Sequence, residues 1–266
     1  MKTVVINDSE EISCDFLVLA TGHSARDTYE MLERRGIYLE KKPFAVGVRV
    51  EHPQKLINSI QYGIPAHPCL PQAEYSLTFS DPQTGRSVYS FCMCPGGVVM
   101  AAASETGCLV TNGMSAYQRN APYANSALVV TVDGSDFPGN TPLAGVEFQR
   151  KWERKAFAVG GSTYRAPAQN LLDFVEGKVS RGVRSSYRPG VVETDLAGAL
   201  PLEITQALKA GIKGFDRKMH GFLTHEATLT GVETRTSSPV RIVRGDDLQS
   251  VSLRGLFPTG EGAGYA

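Results

Sequence analysis

The sequence predicts an α+β fold, with a strand-rich block and a helical block lying between two short apolar runs that each end in a glycine turn. Three observations predict it. Residues 75–79, 87–92, 98–103, 107–111 and 127–132 are short apolar or alternating runs separated by Gly, Pro and Asp, a pattern that suggests an antiparallel sheet or small barrel. Residues 143–159 then carry Val146, Phe148, Trp152, Ala156 and Phe157 at helical spacing up to Gly160 and Gly161, and residues 202–222 do the same with Ile204, Leu208, Ile212, Phe215 and Met219, interrupted by Gly211 and Gly214. Finally the chain returns to strand-like runs at 225–230, 231–236 and 240–244.

The remaining elements follow in order. Residues 2–6, the polar turn 7–10 and residues 12–19 read as a hairpin whose second arm is a buried, β-branched-rich strand. That arm runs into Ala20-Thr21-Gly22, after which Ser24 is placed to cap a helix with Asp27 three residues on, a stripe of Tyr29, Met31 and Leu32, and a stop at Gly36. Residues 44–50 alternate as a strand that His52-Pro53 breaks, and residues 62–71, with three prolines, read as an irregular loop. Residues 169–175 predict a short helix, and residues 181–189, holding Arg181, Arg184 and Arg188, a basic surface loop.

With 266 residues, 42% of them hydrophobic and 20% charged, the chain buries a substantial core. Its 27 basic and 27 acidic residues cancel, so no global field favours nucleic acid or an anionic membrane. No apolar run is long enough to span a bilayer, and the first residues enter a strand rather than a secretion signal, which points to the cytoplasm. Five cysteines without framework spacing fit reduced thiols.

Two terminal stretches and four interior ones carry a resemblance. Residues 15–22 read DFLVLATG, residues 255–266 read GLFPTGEGAGYA, and between them lie FCMCPGG at 91–97, TNGMS at 111–115 followed by Arg119, ANSA at 124–127 and GVETRTSSPVR at 231–241. In this order they resemble the bacterial FAD-dependent dehydrogenases, a branch of the glutathione-reductase-like flavoproteins. The resemblance implies an FAD-binding segment at 1–40, an inserted substrate domain at 41–244 and a last FAD segment at 245–266, with a small-molecule substrate as the partner. It implies FAD contacts at Ala20, Thr21, Gly22, Gly260, Glu261, Gly262, Ala263 and Gly264, with Glu261 standing where many members carry Asp and bonding a ribityl hydroxyl. It also places 231–241 near the isoalloxazine and makes Glu233, Arg235 and Ser237 substrate or flavin contacts. The family's first fingerprint, G-x-G-x-x-G, lies upstream of where this chain starts. The chain is therefore expected to be the C-terminal fragment of an FAD-dependent oxidoreductase that does not hold FAD tightly by itself, because the helix N-terminus that neutralises the pyrophosphate is missing.

The residues themselves leave alternatives open. Gly260-Glu-Gly-Ala-Gly264 is not the dinucleotide fingerprint, because Tyr265 occupies its third small position; on its own it is equally a glycine turn with an exposed Glu. Cys92 and Cys94 at a strand end fall on one face and read as buried or pocket-lining residues, with no metal site expected. Arg119 is suited to clamp a carboxylate or phosphate as a substrate-binding residue, while Asn125 satisfies a turn. Glu233, Arg235, Ser237 and Arg241 alternate onto one face if their stretch stays extended. The five histidines lack triad or ligand spacing, and no spacing identifies catalytic residues. A non-catalytic ligand- or partner-binding module is the alternative function.

Overall fold

The structure, a computed structural model, describes residues 3–265. Met1, Lys2 of the expected hairpin and Ala266 of the last motif lie outside the described residues. The fold class is α+β. The strands are β1 (Thr3–Ile6), β2 (Glu10–Ser13), β3 (Leu17–Leu19), β4 (Leu39–Lys41), β5 (Phe44–Pro53), β6 (Thr78–Ser80), β7 (Ser87–Ala101), β8 (Thr111–Ser115), β9 (Tyr123–Val132), β10 (Ala166–Asn170), β11 (Val191–Glu193), β12 (Thr228–Glu233), β13 (Val240–Ile242) and β14 (Leu256–Pro258). The helices are α1 (Arg26–Arg34), α2 (Gln54–Tyr62), α3 (Ala144–Val159), α4 (Leu171–Glu176) and α5 (Leu202–Lys218). The chain divides into two compact units, one built from the chain up to Phe44, Val132–Gln149 and the residues from Ser237 on, the other from Ala45–Thr131 and Arg150–Thr236.

In the first unit β3 pairs in parallel with β14, Leu17 opposite Leu256 and Leu19 opposite Pro258. The two glycine-ended runs, at opposite ends of the sequence, are therefore neighbours. An antiparallel pair, β4 with β13, and the hairpin of β1 with β2 complete its strands. Its core is Tyr29, Leu32, Ile37, Leu39, Leu143, Val146, Val240, Ile242, Leu256 and Ala263. Two expectations fail here. The buried arm at 12–19 is two separate strands, and every residue of β2 is exposed, because a two-stranded ribbon offers no second layer to bury against. Helix α1 starts after Ala25 rather than under a Ser24 cap, and it buries Arg26, Tyr29 and Leu32 while Met31 is exposed. The inward stripe has the i, i+3, i+6 spacing of a helix face, on which Met31 does not lie. Arg26 is tolerated there by donating from Nη2 to Oε1 of Gln149 at 2.9 Å.

The second unit is organised on one sheet of order β11-β10-β12-β5-β9-β7-β6, with β8 on β7. It is antiparallel in its recorded registers except for the parallel pair of β10 and β11. At its centre β5 is buried through nine of its ten residues. A β-carbon at Gly47 would sit 1.9 Å from the Leu128 carbonyl oxygen, so only glycine permits that approach. The runs at 87–92 and 98–103, expected as two strands, form the single strand β7, whose register on β9 shifts between Phe91 and Cys94 and again between Cys94 and Gly97. Pro95-Gly96-Gly97 is a bulge rather than a turn. The strand expected at 107–111 begins only at Thr111, since Leu109 donates its backbone N–H to the Glu153 carbonyl instead. Helix α2 was not signalled. The helix expected at 169–175 is preceded by β10, and Asn170 ends that strand and caps α4 by accepting from Leu172 N–H. Gly211 and Gly214 do not interrupt α5. A β-carbon at Gly214 would lie 2.3 Å from the Phe79 ring, and one at Gly211 2.6 Å from Val88, so the glycines let the helix seat against the sheet.

Candidate functional site

The parallel pairing of β3 and β14 brings the ends of both strands to the same edge, after which each turns on glycine. Gly22 has φ +75°, Gly260 +71° and Gly264 +82°, backbone that glycine adopts at little cost. Beside Gly22 and Gly260 a β-carbon would meet nothing within 4 Å, so the loops face open space. Gly262 is different. A β-carbon there would lie 2.4 Å from the Gly22 carbonyl oxygen, so the two loops touch backbone to backbone. Tyr29, fully buried on α1, fastens them: its hydroxyl donates to the Gly262 carbonyl at 2.7 Å and lies 3.1 Å from Oγ of Ser238. Burial raises the Tyr29 pKa, with the Ser238 hydrogen bond opposing, which keeps the hydroxyl protonated.

Ala20, Thr21, Gly260 and Glu261 are exposed, whereas Gly262, Ala263 and Gly264 are buried. Glu261 lies 3.8 Å from Nε2 of His23. Next to the second loop, Gly264 presses on the next strand: its β-carbon would stand 2.8 Å from the Val240 carbonyl and 3.0 Å from Cα of Arg241. Lys42 Nζ donates to Oγ of Ser237 at 3.4 Å. Sequence reasoning missed Tyr29 and Lys42 as members of this site, since a Tyr in an apolar stripe and a Lys after a short strand carry no signal of their own.

An open glycine pair, an exposed carboxylate acceptor and nearby cations fit a dinucleotide such as FAD, and the buried Nε of Arg241, which has no hydrogen-bond partner, supports that fit. Ala20, Thr21, Gly22 and Gly260 to Gly264, the residues expected to contact the cofactor, are brought together by the pairing of β3 with β14.

The second unit treats its charges differently. The extended stretch on which Glu233, Arg235, Ser237 and Arg241 were expected to alternate is not formed, because β12 ends at Glu233 and the residues beyond it do not remain extended as a strand. Glu233 accepts from Nη1 of Arg49 at 2.9 and 3.2 Å. Arg49 also donates from Nε to Oδ1 of Asn125 at 2.9 Å, and from Nη2 to the Cys92 carbonyl at 2.7 Å and to Sγ of Cys94 at 3.4 Å. Burial pushes the Glu233 carboxyl up to about 7 although Arg49 pulls it down, and burial likewise raises the Cys94 thiol against Arg49. Gly113 is required under this cluster, since a β-carbon there would lie 2.2 Å from Nη2 of Arg49.

Arg235 grips Glu153 through Nε at 3.1 Å and Nη2 at 3.0 Å, and donates from Nη1 to Ser104. The one-face expectation for Cys92 and Cys94 also fails: Cys92 sits at φ +44° in the bulge and is exposed, while Cys94 is half-buried on Arg49. Arg119, at φ +49°, pairs with Glu74 at 2.5 Å on the rim of an open depression of about 650 Å³ that Met93, Cys94, Pro95, Ser115 and Tyr117 also line. Glu105, Cys108 and Glu153 bring ligand-type atoms within 4.8 Å of one another. Their carboxylates are held by Arg150 and Arg235, so little negative charge is left over for a cation.

The model of a family described as "FAD-dependent protein, C-terminal domain-like" matches residues 43–236. Those limits fall within two residues of Ala45 and Thr236, which bound the second unit. A protein of Clostridium beijerinckii described as uncharacterised is 52% identical over 270 residues, covering 100% of this chain and 50% of that protein. The chain thus spans about half the length of this relative.

Proposed function

The chain belongs to the family of FAD-dependent proteins with this C-terminal domain, and from that premise we propose that it is the part of an FAD-dependent oxidoreductase that supplies one wall of the flavin site and the substrate domain. The whole protein would be a dehydrogenase of the glutathione-reductase-like class. The observation that carries it is the parallel contact of β3 with β14, which joins the loops at Gly22 and Gly262. A two-stranded parallel sheet is unusual, because parallel sheets are normally covered on both faces. Here Phe16 and Val18 are 69% and 66% exposed, as expected of a sheet that more strands extend in a protein twice as long.

Bound FAD would supply hydride or electron transfer. The chain's own residues would orient it. The backbone at Gly22 and Gly260 admits close approach, Glu261 accepts from a sugar hydroxyl, and Tyr29 fixes the loop that carries Glu261. No G-x-G-x-x-G occurs in the sequence, so a helix N-terminus for the pyrophosphate must come from elsewhere, and this chain alone holds FAD weakly.

The test is to purify this chain and a form extended to the length of the Clostridium beijerinckii relative, and to record the flavin absorbance of each. The expected result is a yellow extended protein, bleached by Gly262→Val, beside a nearly colourless short one. Two colourless proteins would instead favour a non-catalytic binding module built on the strand-rich unit.

A further inference from the structure

Within the first unit, two cations stand beside the loop that carries Glu261 and Gly264. Lys42 follows β4 and Arg241 lies in β13, strands that pair with Lys41 opposite Val240. Both side chains are half-buried. Among the described residues neither makes an ion pair: Glu40 sits opposite Arg241 in register without reaching it, and Glu261 lies beside His23. Arg241 rests 5.4 Å from the Tyr265 ring, and Arg244 stacks on that ring at 3.9 Å. A third cation thus adds to the field. Burial, with the Arg241 charge adding to it, lowers the Lys42 pKa, while Glu261 pulls the other way. Like charges held together in partial burial are unfavourable unless something negative joins them.

We propose that Lys42, Ser237 and Arg241 form an oxyanion-binding subsite beside the Gly260 to Gly264 loop, for a carboxylate or phosphate. The three offer complementary donors. Arg241 has a planar fork whose Nε is buried without a partner, Lys42 a mobile ammonium, and Ser237 a hydroxyl that Lys42 already contacts. The family description assigns no such site, and the proposal rests on the flavin reading only in taking Lys42 and Arg241 as neighbours of the same loop. It stands on geometry in this unit alone. The anion has two possible sources, a phosphate of the cofactor or the carboxylate of a substrate, and the chemistry is the same for both.

The experiment uses this chain with its lysines reductively methylated with ¹³C, the Lys42 signal being identified by its loss in Lys42→Gln. Inorganic pyrophosphate and malonate are titrated separately, and binding is also followed by calorimetry. The expected result is a saturable shift of the Lys42 signal with at least one anion, an affinity about tenfold weaker in Arg241→Gln, retention in Lys42→Arg, and no change in Lys55→Gln, a residue exposed on α2. Response to pyrophosphate alone identifies a phosphate source, and response to malonate alone a carboxylate. Thermal melts confirm that the variants fold. The proposal is overturned if neither anion moves the Lys42 signal, or if both bind Arg241→Gln as tightly as the parent. Failure here with a yellow extended protein sinks the subsite and spares the flavin reading; anion binding in a protein that stays colourless does the reverse.

Discussion

The two units handle charge in opposite ways. In the second, each carboxylate buried in the sheet region has donors that saturate it: Glu233 has Arg49, Glu153 has Arg235 and Thr234, and Glu51 has the hydroxyls of Ser185 and Ser186 together with the Ser186 backbone N–H. In the first, Lys42 and Arg241 make no ion pair among the described residues, Lys42 reaching only the Ser237 hydroxyl, and Gly260 of the loop beside them is exposed. A charge matched inside the protein has its interaction energy committed to the fold and has little left for a ligand. Unmatched charge beside open backbone is where a ligand gains most. Glu233 and Arg235, which the resemblance made substrate or flavin contacts, are held by Arg49 and Glu153 in the second unit.

The largest effect should follow from unbalancing a matched pair. Glu233→Gln leaves the Arg49 guanidinium, fully buried, without its counter-charge, and a broken buried pair costs about 3–5 kcal/mol. Arg241→Gln removes one of two repelling cations and should shift stability by no more than about 0.5 kcal/mol. Urea denaturation of both variants checks the contrast. Equal losses would abolish it.

A second effect is set by pH. Buried His52, whose Nε2 lies 2.7 Å from the Phe222 carbonyl, has its pKa lowered by burial from 6.5 to about 4. A group whose folded pKa is depressed gives stability that is present above its unfolded value and lost as pH falls through the folded one. The window here runs from 6.5 down to about 4. At about 1.4 kcal/mol per unit the loss is about 3 kcal/mol. Glu233, with its pKa raised, acts with the opposite sign as pH rises toward 7. The difference between parent and His52→Gln stability profiles therefore isolates His52. Parallel profiles between pH 6.5 and 4 would show that His52 is not held neutral.

Much of this was legible in the sequence, and the misses share a cause. Long periodic stretches such as α3 and α5 stand out because side-chain spacing alone sets them. The pairing of β3 with β14 was legible as two glycine-ended apolar runs. What was not legible depends on partners distant in sequence. Arg49 interrupts an apolar strand, and its partners Cys92, Asn125 and Glu233, the last 184 residues on, explain it. That intrusion was itself the available signal. The bulge at Cys92 was hidden because Pro95-Gly96-Gly97 reads locally as a turn, whereas Gly96 exists to let the Arg119 carbonyl approach where a β-carbon would be 1.8 Å away. Lys42 gave no local signal, since an unpaired cation is recognised only when all its neighbours are known.

The loop contact in the first unit can be tested sterically. Gly262→Ala places a methyl group 2.4 Å from the Gly22 carbonyl oxygen, and the backbone on both sides must yield, at about 1–3 kcal/mol by analogy with overpacking. Gly198→Ala is the control, because nothing lies within 4 Å of its β-carbon, and it should be neutral. Thermal melts compare them, and a neutral Gly262→Ala would mean that the loops are not in contact.

The smallest effect distinguishes fastening from burial. Tyr29→Phe keeps the ring in the core formed with Leu32, Val146 and Ala263 and removes only the hydroxyl that bonds the Gly262 carbonyl and Ser238. A net loss of about 1 kcal/mol is expected for such bonds. Its consequence should be local, because the turn from Gly260 to Gly264 is otherwise closed by backbone bonds of its own, Ala263 N–H to the Gly260 carbonyl at 3.2 Å and Gly264 N–H to the Glu261 carbonyl at 3.0 Å. Hydrogen exchange should therefore quicken at Gly262, Ala263 and Gly264 while β5 and β9 of the other unit keep their protection. Uniform quickening over both units would make Tyr29 an ordinary core residue. Unchanged exchange would mean that the turn holds its shape without the hydroxyl, leaving the position of Glu261 to the backbone alone.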